Sequence, residues 1–187
     1  MLMMTPDPST LSDALPPLRS YTHLFLPIND ATDLDKAEGG SHWTLLLVSL
    51  VDGVAFHYDS LSPSNTVPAQ AATRKLEQLL NIRLRYLDME DAPQQENGSD
   101  CGVFVCAVME ELLLKRLLKT KQAGTVDMDM GRGRVDARRK RHELVELIEK
   151  LRDKAVRTES QSGHGHGHRH DVQSQSPPRI GPGSSAL

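Results

Sequence analysis

Residues 42–51, HWTLLLVSLV, are apolar at successive rather than alternate positions. A strand with one wet face alternates. An unbroken short run reads as a strand buried on both sides, in the interior of a sheet with cover above and below. Asp52-Gly53 follows it, a favoured pair for a tight hairpin, and Val54–Tyr58 is the expected return strand, closed by Asp59-Ser60. Two segments read as helices. Ala69 to Leu80 carries apolar residues at 72, 76, 79 and 80, with Arg, Lys, Glu and Gln opposite and Asn81 as its stop. The segment from Cys101 is apolar all round over Val103–Met109 and amphipathic over Glu110–Lys119. It predicts a helix whose first half lies in the core, with Ser99 or Asp100 as N-cap. Shorter strands are expected at His23–Leu26, ended by Pro27, and at Ile82–Leu87.

The 187 residues have room for one domain with appendages. Residues 1–19 read as a loose entry and 20–157 as the domain, with a linker at 119–135 and a charged helix at 136–157. That helix bears a narrow stripe of Leu144, Leu147, Ile148 and Leu151. Residues 158–187, rich in Ser, Gly, Gln, Pro and His, offer too little apolar surface to offset ordering and predict disorder. No apolar run approaches the ~18 residues of a membrane span, and the N-terminus lacks the pattern of a secretory signal. Cys101 and Cys106 form neither a disulfide framework nor a CxxC pair, which favours a reducing compartment, the cytoplasm or nucleus. A net charge of −3 does not suggest a nucleic-acid binder. The run Arg138–His142 is offset by Glu143, Glu146 and Glu149 and reads as a solvated helix face. His164, His166, His168 and His170 alternate in the tail without a carboxylate or thiol shell, so no specific metal site is expected.

Cys101 stands where a polar loop meets the buried helix. Unpaired N–H groups and the partial positive charge of a helix N-terminus stabilise a thiolate, the nucleophilic form. Gly102 leaves room for a substrate backbone to come close. Free cysteine is commonly a small buried hydrophobe, and Cys106 keeps that reading. A nucleophilic cysteine needs an imidazole to take its proton and a carboxylate to orient that imidazole. His42 opens the buried strand and Asp59 closes its hairpin partner seventeen residues later. With a two-residue turn, Asp59 would face Leu46, four residues from His42 on the correct face and roughly 13 Å away. A wider loop, a bulge or strong twist must close that gap. Gln95, six residues before Cys101, is placed to hold an oxyanion together with the Cys101 N–H. His23 and His57 read as structural strand histidines, with His57 the alternative base.

In that order, GGSHW, HYDS and PQQENGSDCG resemble the ubiquitin-like-protein-specific cysteine proteases, the sentrin/SUMO protease family. LPIND, GGSHWTLLL and HYDSLSPSN before an Ala-rich helix are most similar to its deneddylase branch. The resemblance implies Cys101 as nucleophile, His42 as general base, Asp59 as its orienting partner and Gln95 as oxyanion donor. Trp43 would cover a narrow tunnel that admits only a Gly-Gly tail. The implied fold is papain-like α+β, a central mixed sheet with the nucleophile at the N-terminus of a buried helix. The implied activity is that of a cysteine isopeptidase or processing protease, acting after the Gly-Gly of a ubiquitin-like modifier through a thioester. Its expected substrates are the cullin-type modifier and its conjugates on cullins or other neddylated proteins; the protease is expected to be a monomer without metal or cofactor. Family members also carry an N-terminal segment whose Trp forms the opposite tunnel wall, whereas Trp43 is the single tryptophan here, so a truncated chain is expected. The rival readings are an inactive relative that only binds the modifier, and a SUMO-specific protease.

Overall fold

The computed structural model describes residues 5–32, 39–119, 126–131 and 133–162, with side chains as far as Thr158. These fall into two compact units, one ending at Val145 and the other beginning at Glu146.

The first unit is α+β. Its sheet has four strands in the order β1 (His23–Asn29), β2 (Trp43–Ser49), β3 (Val54–Tyr58) and β4 (Arg85–Asp88). The first three are antiparallel and β4 runs parallel to β3, so the sheet is mixed, as expected. β2 is an interior strand, and Leu45, Leu46, Leu47 and Val48 are fully buried. Alternate residues of β2 serve two cores. Leu46 and Val48, with Ala55 and Ile28, pack with Ala69, Ala72, Leu76 and Leu80 of α1 (Thr66–Leu80). Leu45 and Leu47, with Tyr58, pack with Val108 of α2 (Cys101–Glu110) and with Leu112. Each such leucine contributes about 1.5–3 kcal/mol of burial.

Several boundaries differ from expectation for identifiable reasons. β1 continues through Pro27, which an edge strand tolerates because only one of its sides must donate to a ladder. α1 begins at Thr66, with Pro68 in its first turn, where a missing N–H costs no helical bond. The hairpin turn is wider than Asp52-Gly53 alone. Ser49 pairs with Val54, leaving Leu50–Gly53 as the loop. The Ser49 hydroxyl donates to Asp52 at 2.5 Å and the Asp52 N–H donates back to Ser49 Oγ at 3.2 Å, closing that loop early. Gly53 supplies a left-handed φ of +65°. α2 does not run unbroken to Lys119 but continues as a π-helical segment over Glu111–Leu117.

Residues 5–20 are docked rather than loose. They form 3-10 turns at Pro8–Leu11 and Leu18–Ser20, bury Leu11, and are tied to α1 by Lys75 on the Thr5 carbonyl and Arg19 on the Leu80 carbonyl. Residues 126–131 of the expected linker lack helix or strand yet reach the core. Met128 is buried and its carbonyl accepts from the Tyr58 hydroxyl at 2.8 Å.

α3 spans Ala137–Ser162, continuing past the boundary expected at residue 157. In the second unit Leu147, Ile148, Leu151 and Val156 are exposed, and Lys150 lies 3.6 Å from Glu146. The predicted tail disorder beyond Ser162 and the alternating histidines lie outside the described residues. Among the described residues no helix is long and apolar enough to cross a membrane, and no group of His, Cys, Asp or Glu is arranged to hold a metal ion.

Candidate active site

The site is assembled where β1, β2 and β3 end together. Asn29 and Asp30, residue types common in turns, act here through their side chains. Asp30 Oδ1 accepts from the N–H groups of Ser41 (2.6 Å) and His42 (2.9 Å), and its Oδ2 accepts from the Ser41 hydroxyl at 2.7 Å. Asn29 Nδ2 donates to the His42 carbonyl at 3.1 Å. Burial by itself would push the Asp30 carboxyl up, but hydrogen bonds from His42 and Ser41 outweigh it and hold the carboxyl below its ordinary value. Gly40 is required beside this anchor. Its φ is +87°, and a Cβ there would lie 2.1 Å from Asn29 Oδ1 and 2.7 Å from Asp30 Oδ1. The main chain thus delivers His42 to a defined place just before β2 begins.

The wider hairpin loop settles the register. Leu45 opposes Tyr58, so Asp59 comes level with Thr44 instead of Leu46. The offset to His42 falls from four residues to two, the diagonal separation of about 7–8 Å that long side chains bridge. His42 Nε2 and Asp59 Oδ1 are 2.7 Å apart, and the two residues are 4 % and 3 % exposed. A carboxylate only accepts, so Nε2 carries the proton of the neutral ring and Nδ1 keeps a lone pair. Asp59 also accepts from the Leu61 N–H on Oδ1 (2.8 Å) and from the Asn65 N–H on Oδ2 (2.9 Å). The carboxylate therefore has a single orientation.

Cys101 is the first residue of α2 and is buried. Asp100 occupies the N-cap position, but its side chain does not cap the helix. Its carboxylate instead accepts from Asn97 Nδ2 at 2.7 Å and pairs with Arg141. The lead-in loop is laced to the residues around Asp59. The Gln95 N–H donates to the Ser60 carbonyl at 2.8 Å, and Gln95 Oε1 accepts from the Ser60 hydroxyl at 2.7 Å. Gln94 Nε2 donates to the Asp59 carbonyl at 2.8 Å. Gln95 Nε2 is 2.6 Å from the Asn97 carbonyl, so one of its two amide hydrogens is committed and the other is left for a ligand. Gln94, Gln95, Asn97, Asp100 and Phe104 line one side of a groove of about 720 Å³.

Trp43 is 45 % exposed. It lines one small cavity with Phe104, Val105 and Tyr58. The residue after His42 and a residue one turn beyond Cys101 therefore share a cavity, which brings the start of β2 to the first turn of α2. An added Cβ on Gly102 would meet no atom within 4 Å, so nothing in the chain itself requires glycine there.

His57 is the structural residue that its strand position suggests. It is 1 % exposed, with Nε2 at 2.9 Å from the Thr44 hydroxyl and Nδ1 at 2.7 Å from Asp88 and 2.9 Å from the Tyr86 hydroxyl. Both ring nitrogens are engaged, which removes it as an alternative base.

Sequence reasoning missed Asn29, Asp30, Ser60, Gln94 and Asn65 as parts of this site. Each acts by bonding to backbone or to another polar side chain from a loop, where Asn, Asp, Ser and Gln are ordinarily solvated. The available signal was their placement in the motif stretches LPIND, HYDSLSPSN and PQQENGSDCG.

Residues 14–143 match the family described as Ulp1 protease family, C-terminal catalytic domain. The chain is 39 % identical over 151 residues to NEDD8-specific protease 2 of Schizosaccharomyces pombe, an alignment covering 80 % of this chain and 36 % of that protein. It is 38 % identical over 113 residues to Sentrin-specific protease 8 of Homo sapiens, covering 58 % of this chain and 52 % of the other. The chain thus spans only about a third to a half of these two curated relatives. Among solved structures, the Xanthomonas campestris effector protein XopD bound to ubiquitin matches with a TM-score of 0.46 at 24 % identity, covering 72 % of this chain and 65 % of that one.

Proposed function

The chain belongs to the Ulp1 protease family, and we propose that it is a cysteine isopeptidase acting after the terminal Gly-Gly of a ubiquitin-like modifier. The observation that carries this reading is the buried His42–Asp59 pair at 2.7 Å, which commits Nε2 to the carboxylate and leaves Nδ1 of the neutral ring as the base, at the same end of the sheet as the first turn of α2. A general base and the N-terminal thiol of a buried helix are the two parts that thioester chemistry needs.

In the proposed mechanism the Cys101 proton passes to His42 Nδ1 as Sγ bonds to the carbonyl carbon of the final glycine. The oxyanion takes hydrogen bonds from the Cys101 N–H and from the remaining amide hydrogen of Gln95, an arrangement worth a few kcal/mol at the transition state. The C–N bond then breaks, the amine leaves with the proton from Nδ1, and a thioester remains. Nδ1 next takes a proton from water as its oxygen attacks the thioester, and return of that proton to Sγ frees the modifier. Asp59 stays ionised throughout and stabilises the imidazolium formed in each half-reaction. The open space beside Gly102 and the exposed face of Trp43 suit a thin Gly-Gly tail lying between them. Relatives named for NEDD8 favour the cullin-type modifier, with cullins and other neddylated proteins as conjugates, over SUMO. A free thiol nucleophile suits the reducing cytoplasm or nucleus.

The test is covalent capture. NEDD8 and SUMO carrying C-terminal vinyl sulfones are offered to the full chain, with Cys101→Ala and Cys106→Ala as comparisons. NEDD8 adduct on wild type and Cys106→Ala but not on Cys101→Ala is the expected result. Reversible binding without adduct would instead make the chain a modifier-binding relative, and preferential SUMO capture would reassign the substrate.

A further inference from the structure

We propose that Asn65 is a positioning residue that holds His42 and Asp59 in register with each other. Its part in turnover rests on the protease reading, whereas its effect on the histidine does not. Asn65 is fully buried and bonded to both partners. Its N–H donates to Asp59 Oδ2 at 2.9 Å, and its Nδ2 donates to the His42 carbonyl at 3.2 Å. The same Nδ2 lies 3.4 Å from the Ile28 carbonyl in β1. Its own carbonyl accepts from the Ala69 N–H at 3.0 Å, in the first turn of α1. One residue therefore links the base, its orienting carboxylate, the edge strand and a packed helix.

Two features separate this from an ordinary helix start. Asn65 occupies the N-cap position of α1, where an asparagine side chain normally accepts from the helix's first N–H groups, yet it makes no such bond. The side chain turns back towards β1 and His42. In that orientation Oδ1 is the one buried side-chain polar atom among the described residues that lacks a hydrogen-bond partner. A stability-driven choice would cap the helix and satisfy the oxygen, or place an apolar residue there. The donations towards His42 and Ile28 are what the observed orientation achieves. Asn29 and Asp30 cannot substitute, because their side-chain hydrogen bonds reach Ser41, His42 and Ala31 but not Asp59.

The experiment compares wild type, Asn65→Ala and Thr73→Ala in the full chain. Thr73 is also buried and polar, but its hydroxyl donates to the Ala69 carbonyl within α1, at 2.9 Å. Two readouts are taken: kcat and KM on a NEDD8–fluorophore substrate, and the downfield proton resonance of His42 Nε2–H, assigned by its loss in His42→Gln. Asn65→Ala is expected to lower kcat at least tenfold with KM within threefold, and to broaden or abolish the resonance. Thr73→Ala should keep both after correction for the folded fraction. Unchanged kcat and resonance in Asn65→Ala would overturn the proposal. So would parallel losses in the two variants that track their melting temperatures. Should Asn65→Ala not fold, Asn65→Ser, which keeps the backbone donation to Asp59 but shortens the side chain, is read in the same way. If wild type shows neither turnover nor covalent capture, the protease reading fails, while the resonance still decides the role of Asn65.

Discussion

Replacing Asp59 by Asn keeps the shape of the side chain and changes one oxygen into a donor, so the consequence can be worked out from the three bonds it accepts. With the amide oxygen at the Oδ1 position, the bonds from His42 and Leu61 survive, but the new NH2 confronts the Asn65 N–H. With the amide turned over, the oxygen satisfies Asn65, but the NH2 faces the Leu61 N–H and must donate to His42 Nε2. That second arrangement moves the ring proton to Nδ1 and removes the base. Each arrangement opposes one buried donor to another, a cost of about 1–3 kcal/mol in folding stability. Because the two are nearly balanced, a large share of molecules holds the wrong tautomer. Even the correct tautomer loses the charge-assisted part of its bond to the developing imidazolium, about 1.5–3 kcal/mol, or roughly ten- to two-hundredfold in rate. These place the fall in kcat between about tenfold and about 10⁴, the upper figure being the loss known for a triad carboxylate changed to an amide. The assay is steady-state hydrolysis of a NEDD8–fluorophore alongside urea unfolding. A variant that keeps kcat within threefold of wild type would refute the argument that Asp59 sets the tautomer of His42.

Asp30→Asn carries a pH signature. The folded carboxyl titrates below its unfolded value of 3.8, so its stabilising effect is complete above that value and is lost as pH falls through the lower folded one. Urea unfolding should show wild type more stable than Asp30→Asn at pH 7, with the gap closing below about pH 3.8. A gap that does not narrow as pH falls below 3.8 would contradict this. Gly40→Ala, whose methyl meets Asn29 and Asp30, is expected to lower both melting temperature and kcat, since it displaces the anchor of His42. His57→Ala should destabilise the fold by emptying a buried position and stranding the buried Thr44 hydroxyl, yet keep kcat per folded molecule far nearer wild type than His42→Ala does. Leu112→Ala removes a fully buried side chain and should cost about 2–5 kcal/mol by denaturant unfolding, with kcat of the folded fraction little changed.

Features that depend on neighbours in the chain were legible without coordinates. The unbroken apolar run of β2 specified an interior strand, because only cover on both faces makes such a run favourable. The apolar lead of α2 specified a core helix with Cys101 at its start, and the left-handed Asn81 ended α1 where expected. The pairing of His42 with Asp59 was legible as a possibility but not as a geometry. A two-residue turn places them four residues apart, and only the Ser49–Asp52 bonds that widen the loop bring the pair to 2.7 Å. Asp30, Asn65 and Gln94 stood in the motif stretches, but their roles were not legible. Their local sequences read as turns, and their roles depend on backbone carbonyls, N–H groups and carboxylates brought to them from other strands. A one-residue change in strand register would reverse every facing side chain. Short-range pattern therefore chose the elements and the reactive side chains, while the position of each proton at the base was decided by polar contacts that exist only once the sheet and its loops have closed.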